Sequence, residues 1–501
     1  MQHALWHRVY ITNQKDTARA RCRSFPALGH AQASVAGKGV RRMSVFSLSN
    51  LKKTWYYLQK NGIRNAVWAV LERIGQEQEV YTWQEPDEKT LSFQREHSAS
   101  LRISIVVPAY RTKKEHLEAM LNSVSRQSYP HWELIVADAG GTAESVQAWA
   151  KKNGICLREA ADASNLAEWK DQSIVLSPLS ENKGISANTN AGIELAAGDA
   201  VGLLDHDDLL TANALWEMAD CLEKEKKRGK QKLVLFSDED KCDGAASRFY
   251  EPNFKPDFDG ELLLTNNYIC HFTVIETAFL KELKLRSGFD GAQDYDLVLR
   301  AYAAGGQFVH VPKVLYHWRC HEASTASNPQ SKRYAYEAGQ RALEDYCLRK
   351  GWKATVSGLK HLGFYREDYE DSVFCQRPEI GIWAKPLPGG RDIFGIRHPK
   401  GFLVSGLYEN DGSMRYAGLR KGYSGPMHRA ALQQSAPAAD LRSMEVCSAL
   451  KERYAQTIAE LKEACQGLPT AAQETKILQK SMEFCKEATA AGYGILWDPQ
   501  A

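Results

Sequence analysis

The run Asp205-His206-Asp207-Asp208 holds the side chains with the clearest chemistry in this sequence. It follows a short apolar run at 201–204, so a buried strand is predicted to end in three carboxylates. Unpaired charge is costly to bury, which favours an exposed strand end where the acids face a cation. Side chains two residues apart on extended backbone point the same way. Asp205 and Asp207 are therefore predicted to share a divalent ion, Mn²⁺ or Mg²⁺, that can hold a diphosphate.

The elements around this run alternate between strand and helix. Four apolar strands are predicted, with helical spacing between them, at 103–107, 133–137, 174–176 and 201–204. This order predicts an α/β fold with a mostly parallel sheet flanked by helices. Ligands of such sheets bind beyond the carboxyl ends of the strands. Pro108, Asp138 and Asp205 each follow a strand, so they are predicted to line one crevice.

Composition limits the classes of function. With 501 residues, the chain has room for about two to four domains. Its hydrophobic fraction of 44% and charged fraction of 25% are those of a soluble globular protein. A net charge of +3 argues against an electrostatic nucleic-acid binder, and no run reaches the roughly 18 apolar residues of a membrane span. The 11 cysteines include no CxxC pair, which favours free thiols in a reducing cytoplasm.

Two segments are predicted before the first strand. Residues 1–42 are basic and are interpreted as a disordered extension or as a stretch before a true start at Met43; a basic arm or a transit peptide is the alternative. Residues 43–98 predict two amphipathic helices and a linker. The favoured interpretation is a helical cap packed on the next domain. The basic flanks of these helices leave open a peripheral contact with the inner face of the cell membrane.

Seven ordered motifs between Ile103 and Gly351 resemble those of family 2 glycosyltransferases, which have the GT-A fold. The motifs lie at 105–110, 129–134, 182–187, 203–208, 237–241, 291–296 and 316–319. A lone Asp-x-Asp is a weak signal, whereas seven motifs in register are specific. Within the family the chain looks most like bacterial enzymes, often rhamnosyl or related transferases, that build surface polysaccharides. The resemblance predicts a GT-A glycosyltransferase domain at 99–351.

The resemblance implies a metal-dependent, inverting transfer from a nucleotide-sugar donor to a glycan or lipid-linked glycan acceptor. Asp207 would hold the metal, and Asp205 would support it or contact the ribose, because a cation stabilises the leaving diphosphate. Asp294 matches the family's catalytic base, which takes the acceptor's proton. The alternative is that Asp294 only caps the following helix. Gln293 replaces the family's usual glutamate and so removes a negative charge beside Asp294.

Other positions match the family's nucleotide pocket. Pro108 and Tyr110 match its nucleoside-side wall. Asp138 matches its base-recognising aspartate, with a simple turn residue as the alternative. Lys183 and Asn190 are assigned to the same pocket.

Two late residues and one departure complete the predicted site. His317 is assigned as a further metal ligand, with a packed core histidine as the alternative. Arg319 is assigned as a contact to the diphosphate. Thr189 stands where the family usually carries arginine, so Lys183 or Arg319 could supply the missing cation.

The sequence after residue 230 predicts further strands and helices. A strand at 233–236 leads into the acid-rich run at 237–241, which is interpreted as a loop that either faces the acceptor or is solvated. A second strand is predicted at 267–275. A helix at 294–303 precedes an extended segment at 308–318.

The end of the chain repeats part of its middle. Residues 303–312 match residues 490–499, an offset of 187, which places Ser481 at the position of Asp294. Residues 352–501 are therefore predicted to form a shortened, inactive second glycosyltransferase-like domain, a degenerate α/β remnant that binds the acceptor, a partner or nothing.

Two other functions stay open at this stage. A nucleotidyltransferase also joins an α/β sheet to carboxylate-held magnesium, but it would need a Gly-rich, basic loop after the first strand. A catalytically weak nucleotide-sugar-binding scaffold that partners another transferase would fit the degenerate tail, whereas the intact Asp205, Asp207 and Asp294 count against it. A nicotinamide oxidoreductase is disfavoured because no GxGxxG follows the first strand.

Overall fold

A computed structural model describes residues 81–160, 169–320, 333–358, 363–370 and 372–384, together with 406–407, 444–464, 484, 487–488 and 490–497. The basic extension and the two helices predicted before residue 81 lie outside these described residues. Within the described part, every helix is too short or too polar to cross a membrane.

The first half of the described chain forms parallel strands with helices between them, as the sequence predicts. The strands are β1 (Ile103–Ala109), β2 (Trp132–Asp138), β3 (Cys156–Glu159), β4 (Ser173–Pro178) and β5 (Ala200–Leu203). The helices are α1 (Glu88–Glu96), α2 (Lys114–Ser125), α3 (Ala143–Asn153) and α4 (Ile185–Leu195). The sheet order is β3-β4-β2-β1-β5, and every pair in it is parallel. Strands β1 and β2 are buried along nearly their whole length, so both faces of the sheet are covered by other elements.

Helix α2 shows how the sequence selects a buried face. Leu117, Met120, Leu121 and Val124 recur at helical spacing, and each is at most 1% exposed. They pack in one cluster with inward-facing residues of β1, such as Ile105. Burial of each such side chain stabilises the fold by roughly 1.5–3 kcal/mol.

The second half extends the same sheet with mixed pairing. Its strands are β6 (Leu209–Leu210), β7 (Leu233–Asp243), β8 (Phe249–Asn253), β9 (Thr273–Glu276) and β10 (Gln307–Cys320). Its helices are α5 (Ala214–Lys227), α6 (Gly260–Thr265), α7 (Thr277–Leu283), α8 (Gln293–Ala303) and α9 (Arg333–Arg349). Strand β9 lies antiparallel between β5 and β7, whereas β10 runs parallel to β7. This α/β architecture, with a large and mostly parallel sheet, is the GT-A type that the sequence predicts.

Two predicted elements differ from the structure. Strand β9 begins only at Thr273, so most of the predicted strand at 267–275 is a loop. Strand β7 continues to Asp243, so the run at 237–241 is not a loop, and its burial contradicts the solvated interpretation. That this run faces the acceptor stays a prediction. Asp238 and Asp240 are 1% and 0% exposed. These acids are tolerated inside because each has partners from distant parts of the chain.

The core of this unit continues past residue 351. Strands β11 (Ala354–Gly358) and β12 (Tyr365–Tyr369) form a hairpin, followed by α10 (Val373–Gln376). Val356 and Tyr365 of the hairpin are buried in one cluster with residues of α8 and α9. Arg377, directly after α10, binds both carboxylate oxygens of Glu261 at 2.8 and 2.5 Å, and both side chains are buried. The tail is thus anchored on the first domain by a buried ion pair.

A separate four-stranded sheet occupies the described part of the tail. Its strands are β13 (Ile380–Ala384), β14 (Gly406–Leu407), β15 (Met444–Val446) and β16 (Gly494–Trp497), and helices α11 (Ser448–Arg453) and α12 (Ala455–Ala464) follow β15. Strand β13 pairs antiparallel with β15 and parallel with β16, as β7 does with β9 and β10.

In both sheets the central strand lies between one antiparallel and one parallel neighbour. One residue of the central strand faces residues on both neighbours, at positions 236, 273 and 310 in the first sheet and 384, 444 and 497 in the second. Gly305 and Gly492, 187 residues apart, both have positive φ (77° and 89°) in the turn before the parallel strand. This match supports the predicted shortened second copy, which stays a prediction beyond these strands.

Candidate active site

The carboxyl end of β5 and the start of α8 meet at one cavity. It has a volume of about 70 Å³, and its lining includes Pro108, Asp205, Cys270, His271 and Asp294. Asp205 follows β5, and Asp294 lies in the first turn of α8. The fold therefore brings together two acids that are 89 residues apart in the sequence, and both are among those assigned to the reaction.

The acid run after β5 divides into two environments. Asp208 is 2% exposed and accepts hydrogen bonds from the Tyr316 hydroxyl at 2.5 Å and the Arg319 backbone N–H at 2.7 Å. Burial, and then the charge of Asp207, raise the pKa of Asp208 well above its usual range. Asp208 is thus a structural residue that ties the turn after β5 to β10. Asp205, in contrast, has 45% of its side chain open to solvent.

Asp205 lies close to other acids of the site. It lies in a cleft walled by protein, and this limited solvation, followed by the charges of Asp207 and Asp294, raises its pKa, whereas His271 acts in the opposite direction. Because each nearby acid disfavours ionisation of the others, a cation bound among them would be stabilised.

Asp294 is held in place by its neighbours. The amide of Asn267 donates to its Oδ2 at 3.1 Å, and the backbone N–H of Tyr295 donates to its Oδ1 at 2.9 Å. Helix α8 begins at Gln293 with Ala292 at its N-cap, so Asp294 is not the cap residue that the alternative interpretation required. The carboxylate thus lies in the first turn of a helix, where the dipole of the helix favours negative charge.

His271 also lines the cavity, although sequence reasoning did not single it out. Its Nδ1 lies 3.2 Å from Oε2 of Glu239, and its Nε2 lies 4.0 Å from Oδ2 of Asp205. Burial opposes protonation, but the hydrogen bond and charge of Glu239, with the charge of Asp205, raise the pKa of His271 to about 9. A histidine ahead of a short strand gives no spacing signal, so only the fold reveals its place.

Glu239 supports His271 from the buried side of the cleft. It lies 3.7 Å from Lys255 and accepts a hydrogen bond from Asn253 at 3.1 Å. Although burial opposes ionisation, the charge of Lys255 and the contact with His271 hold the pKa of Glu239 at about 2. Glu239 is therefore a fixed anion behind the imidazole.

The residues assigned to the nucleoside lie at the end of the parallel strands. Pro108 lines the cavity, and Tyr110 is 38% exposed with Arg111 5.0 Å from its ring centre. Asp138 is 4% exposed and accepts from the backbone N–H groups of Gly140 and Ala143 at 3.0 and 2.8 Å. These bonds fix the loop after β2, as the turn interpretation expects; recognition of a base by Asp138 stays a prediction.

The remaining nucleotide-pocket residues are engaged near α4. The side-chain amide of Asn190 bonds both the carbonyl and the N–H of Leu285, at 2.8 and 2.9 Å, and so ties α4 to the segment before α8. Lys183 is exposed and lies 3.1 Å from Glu181. Thr189 lines the cavity itself. The assigned contacts of Lys183 and Asn190 to a nucleotide stay predictions.

The two late residues lie on β10. His317 is 3% exposed, its Nδ1 lies 2.5 Å from Oδ1 of Asp240, and its ring packs against Trp83 and Phe249. Its surroundings are those of the packed core histidine, and it is not among the residues that line the cavity. Arg319 is 2% exposed and donates to the backbone carbonyl of Asp207. Metal ligation by His317 and a diphosphate contact by Arg319 stay predictions.

The oxygen and nitrogen atoms in the cleft fit a cation for which protein side chains supply only some of the ligands. Within the described ranges, no group of three or more His, Cys, Asp or Glu side chains is arranged to hold a metal ion. Mg²⁺ and similar ions are often bound through one or two carboxylates plus substrate phosphates, so a complete protein cage is not required. The partly exposed Asp205, with its raised pKa, is such a carboxylate.

Residues 104–283 match the family model described as Glycosyl transferase family 2. The α/β fold and the acid-lined cavity agree with this match, which covers about a third of the chain.

Two curated relatives carry names from bacterial polysaccharide synthesis. The O-antigen biosynthesis protein RfbC of Myxococcus xanthus is 35% identical over 256 residues, which are 51% of this chain and 19% of that protein. The amylovoran biosynthesis glycosyltransferase AmsB of Erwinia amylovora is 27% identical over 233 residues, 43% of this chain and 70% of that protein. An uncharacterized protein of Sinorhizobium fredii is 36% identical over 255 residues, 50% of this chain and 26% of that protein. The chain thus spans well under two thirds of the length of the Myxococcus and Sinorhizobium relatives.

Solved structures of S. aureus TarS are similar in part. The one in complex with UDP is 19% identical, with a TM-score of 0.36, over 50% of this chain and 66% of that one.

Proposed function

We propose that this protein transfers a sugar, of the hexosyl or rhamnosyl type, from a nucleoside-diphosphate donor to a hydroxyl of a glycan or lipid-linked glycan. The observation that carries the proposal is that Asp205 and Asp294 line one cavity, with Asp207 close enough to Asp205 to raise its pKa. The carboxylates at 205 and 207 suit the part of a donor site where a cation would be held beside the diphosphate. The carboxylate at 294 suits the side from which the acceptor hydroxyl would attack.

Asp294 is the base in this proposal. It takes the proton of the attacking hydroxyl while the anomeric carbon–oxygen bond to the diphosphate breaks. When bound by Asp205 and Asp207, a divalent cation such as Mn²⁺ or Mg²⁺ supplies the positive charge that stabilises the leaving diphosphate.

A single displacement with inversion at the anomeric carbon fits the cavity. A double displacement needs a side chain that attacks the sugar first. Cys270 is the thiol that lines the cavity, but burial, followed by the charge of Asp294, raises its pKa well above the usual range. A protonated thiol is a poor nucleophile, and the two carboxylates that line the cavity are assigned to the metal and to the base, so direct attack by the acceptor is part of the proposal.

The cellular role follows from the names of the relatives. Two of them are named for O-antigen and amylovoran biosynthesis. We infer a role in the synthesis of a bacterial surface polysaccharide, on the cytoplasmic side of the cell membrane, where the lipid-linked acceptor would be reached by peripheral association. Within the predicted range 352–501, the part from β13 onward would be an inactive second copy, since Ser481 stands at the position of Asp294, whereas the hairpin at 354–369 packs in the core of the first unit.

A donor-hydrolysis screen tests the proposed function. UDP-, GDP- and dTDP-sugars are incubated with Mn²⁺ and either the wild type or Asp207→Ala, and release of the nucleoside diphosphate is measured. Release from one donor that is lost in Asp207→Ala and in EDTA is the expected result. Binding of a donor without any release would favour the scaffold alternative, and release that is unchanged in EDTA would contradict the metal-dependent mechanism.

A further inference from the structure

Three consecutive acids on β7 each face a histidine. Asp238 lies 2.8 Å from His310, Glu239 3.2 Å from His271 and Asp240 2.5 Å from His317, all measured between carboxylate oxygen and ring nitrogen. Of these histidines, His271 is the one that lines the cavity shared by Asp205 and Asp294. The contact is made through Nδ1 in His271 and His317 and through Nε2 in His310, and one of the three pairs faces the candidate site.

The ring of His271 is fixed in orientation. It stacks on Tyr316 with ring centres 4.9 Å apart and planes 13° from parallel. Its Nδ1 and its backbone N–H both face Oε2 of Glu239. With Nδ1 as the donor to Glu239, the neutral ring carries its lone pair on Nε2, the nitrogen that points toward Asp205.

The spacing of this nitrogen from Asp205 suits two ligands of one ion. At octahedral metal–ligand distances of about 2.0–2.1 Å, two ligand atoms lie about 2.9 Å apart when adjacent and about 4.1 Å apart when opposite. The distance from Nε2 of His271 to Oδ2 of Asp205 is 4.0 Å, which lies within this span. A cation bound between them would displace a proton from Nε2, as metal binding to histidine does.

The carboxylate behind the ring completes a recurrent arrangement. Histidines that ligate metals almost always donate their other ring N–H to a carboxylate or carbonyl, which sets the ring orientation. Glu239 is 7% exposed and is itself held by Lys255 and Asn253. His317 contacts Asp240 through the same ring nitrogen, but its ring packs against Trp83 and Phe249 instead of lining the cavity.

We propose that Nε2 of His271 is a nitrogen ligand of the divalent cation held by Asp205, and that Glu239 is the positioning residue for that ligand. Diphosphate oxygens and water fill the remaining coordination positions. The proposal rests on the proposed function for the donor's role, but the metal site itself can be measured without any sugar or acceptor.

Binding of Mn²⁺ alone to the full chain tests the proposal. The room-temperature EPR signal of free Mn²⁺ is followed during titration of the wild type, His271→Gln, Glu239→Gln, His310→Gln and His317→Gln at one fixed pH. We expect at least a tenfold weaker affinity in His271→Gln and a 10- to 100-fold weaker affinity in Glu239→Gln. His310→Gln is the control, because His310 also contacts an acid of β7 but is not among the residues that line the cavity, and it should stay within about twofold of the wild type. His317→Gln tests the competing assignment of the metal ligand to β10.

A second measurement removes the dependence on variant folding. Pulsed EPR of Mn²⁺ bound to the wild type should show hyperfine coupling to an imidazole nitrogen, and His317→Gln should retain it. Absence of nitrogen coupling, unchanged affinity in His271→Gln, or a wild type that binds no Mn²⁺ would overturn the proposal. Loss of affinity in His317→Gln alone would assign the ligand to β10 instead. A failed donor screen with intact, His271-dependent Mn²⁺ binding would count against the proposed function and leave this metal site standing.

Discussion

Arg319 donates a hydrogen bond from its Nε to the backbone carbonyl of Asp207, a residue 112 positions earlier in the chain. The backbone N–H of Arg319 binds the carboxylate of Asp208 at 2.7 Å, and its Nη1 binds the carbonyl of Gly244 at 2.7 Å. Because Arg319 is 2% exposed, this one buried side chain fixes the backbone that carries the acid run.

Arg319→Lys should disturb this backbone while the positive charge is kept. Lysine lacks the planar fork that spans two carbonyl groups, so a buried acceptor loses its donor. We expect the free energy of unfolding to fall by about 1–3 kcal/mol, as measured by urea denaturation. Arg248→Lys is the control, since Arg248 is exposed beside Tyr250, and its effect should stay within about 0.5 kcal/mol. Equal effects of the two changes would contradict the structural role of Arg319.

Asp294→Asn should separate donor binding from transfer. The amide keeps the shape of the side chain and its contact with Asn267 but cannot take a proton. We expect turnover to fall by about 10²- to 10⁴-fold, while the affinity for the donor changes little. Steady-state kinetics and calorimetric titration of the donor measure the two quantities. Asp220→Asn, which changes a surface pair with Lys224, should leave both unchanged. A transfer rate near that of the wild type would remove Asp294 from its role.

Asp296→Asn should act on stability, in contrast to its neighbour two residues earlier. Asp296 is 1% exposed and lies between Arg286 and Arg300, whose Nε atoms donate to its Oδ2 at 3.1 and 2.9 Å. Loss of its charge leaves two guanidinium groups without their buried anion. We expect the free energy of unfolding to fall by about 3–5 kcal/mol. Thermal and urea unfolding check this, with Asp220→Asn again as the control. An unchanged midpoint would show that the two arginines find other partners.

The Arg377–Glu261 pair should hold the tail on the first domain. Their side chains are 5% and 6% exposed, so removal of one partner strands a buried charge. Arg377→Met is expected to lower the free energy of unfolding by about 3–5 kcal/mol. The double variant, with both Arg377→Met and Glu261→Met, should recover much of that loss because no buried charge is left unpaired. Arg333→Met provides the comparison, because the pair of Arg333 with Glu337 is exposed and contributes about 0–1 kcal/mol. Unfolding curves for the three variants decide the matter; no recovery in the double variant would contradict this reading of the pair.

The parts of the site that lie at strand ends could be predicted from sequence. Asp205 follows an apolar run, and the parallel order of the strands places such ends at one edge. Asp294 was assigned through the family motif, and the structure places it in the same cavity as Asp205. The local pattern was sufficient for Asp205, whereas Asp294 could be assigned only through the family motif.

The buried polar pairs could not be predicted in the same way. An acid-rich run is usually solvated, and nothing near residues 237–241 shows that each acid has a histidine partner. Those partners lie 72, 32 and 77 residues away, on β10 and in the loop before β9. His271 became visible as a candidate ligand only when the fold set it beside Asp205.

The three acid–histidine contacts also specify how β7 is aligned with its neighbours. Side chains alternate between the two faces of a strand, so a slip of β7 by one residue would turn every acid away from its histidine. Apolar neighbours tolerate such a slip more easily than ions, which would be left buried without a counter-charge. In the observed pairing of β7 every one of these acids keeps its partner, whereas a shift by one residue in either direction would leave buried charges unpaired and raise the free energy of the fold. The pairing of β7 therefore also fixes where His271 lies relative to the cleft.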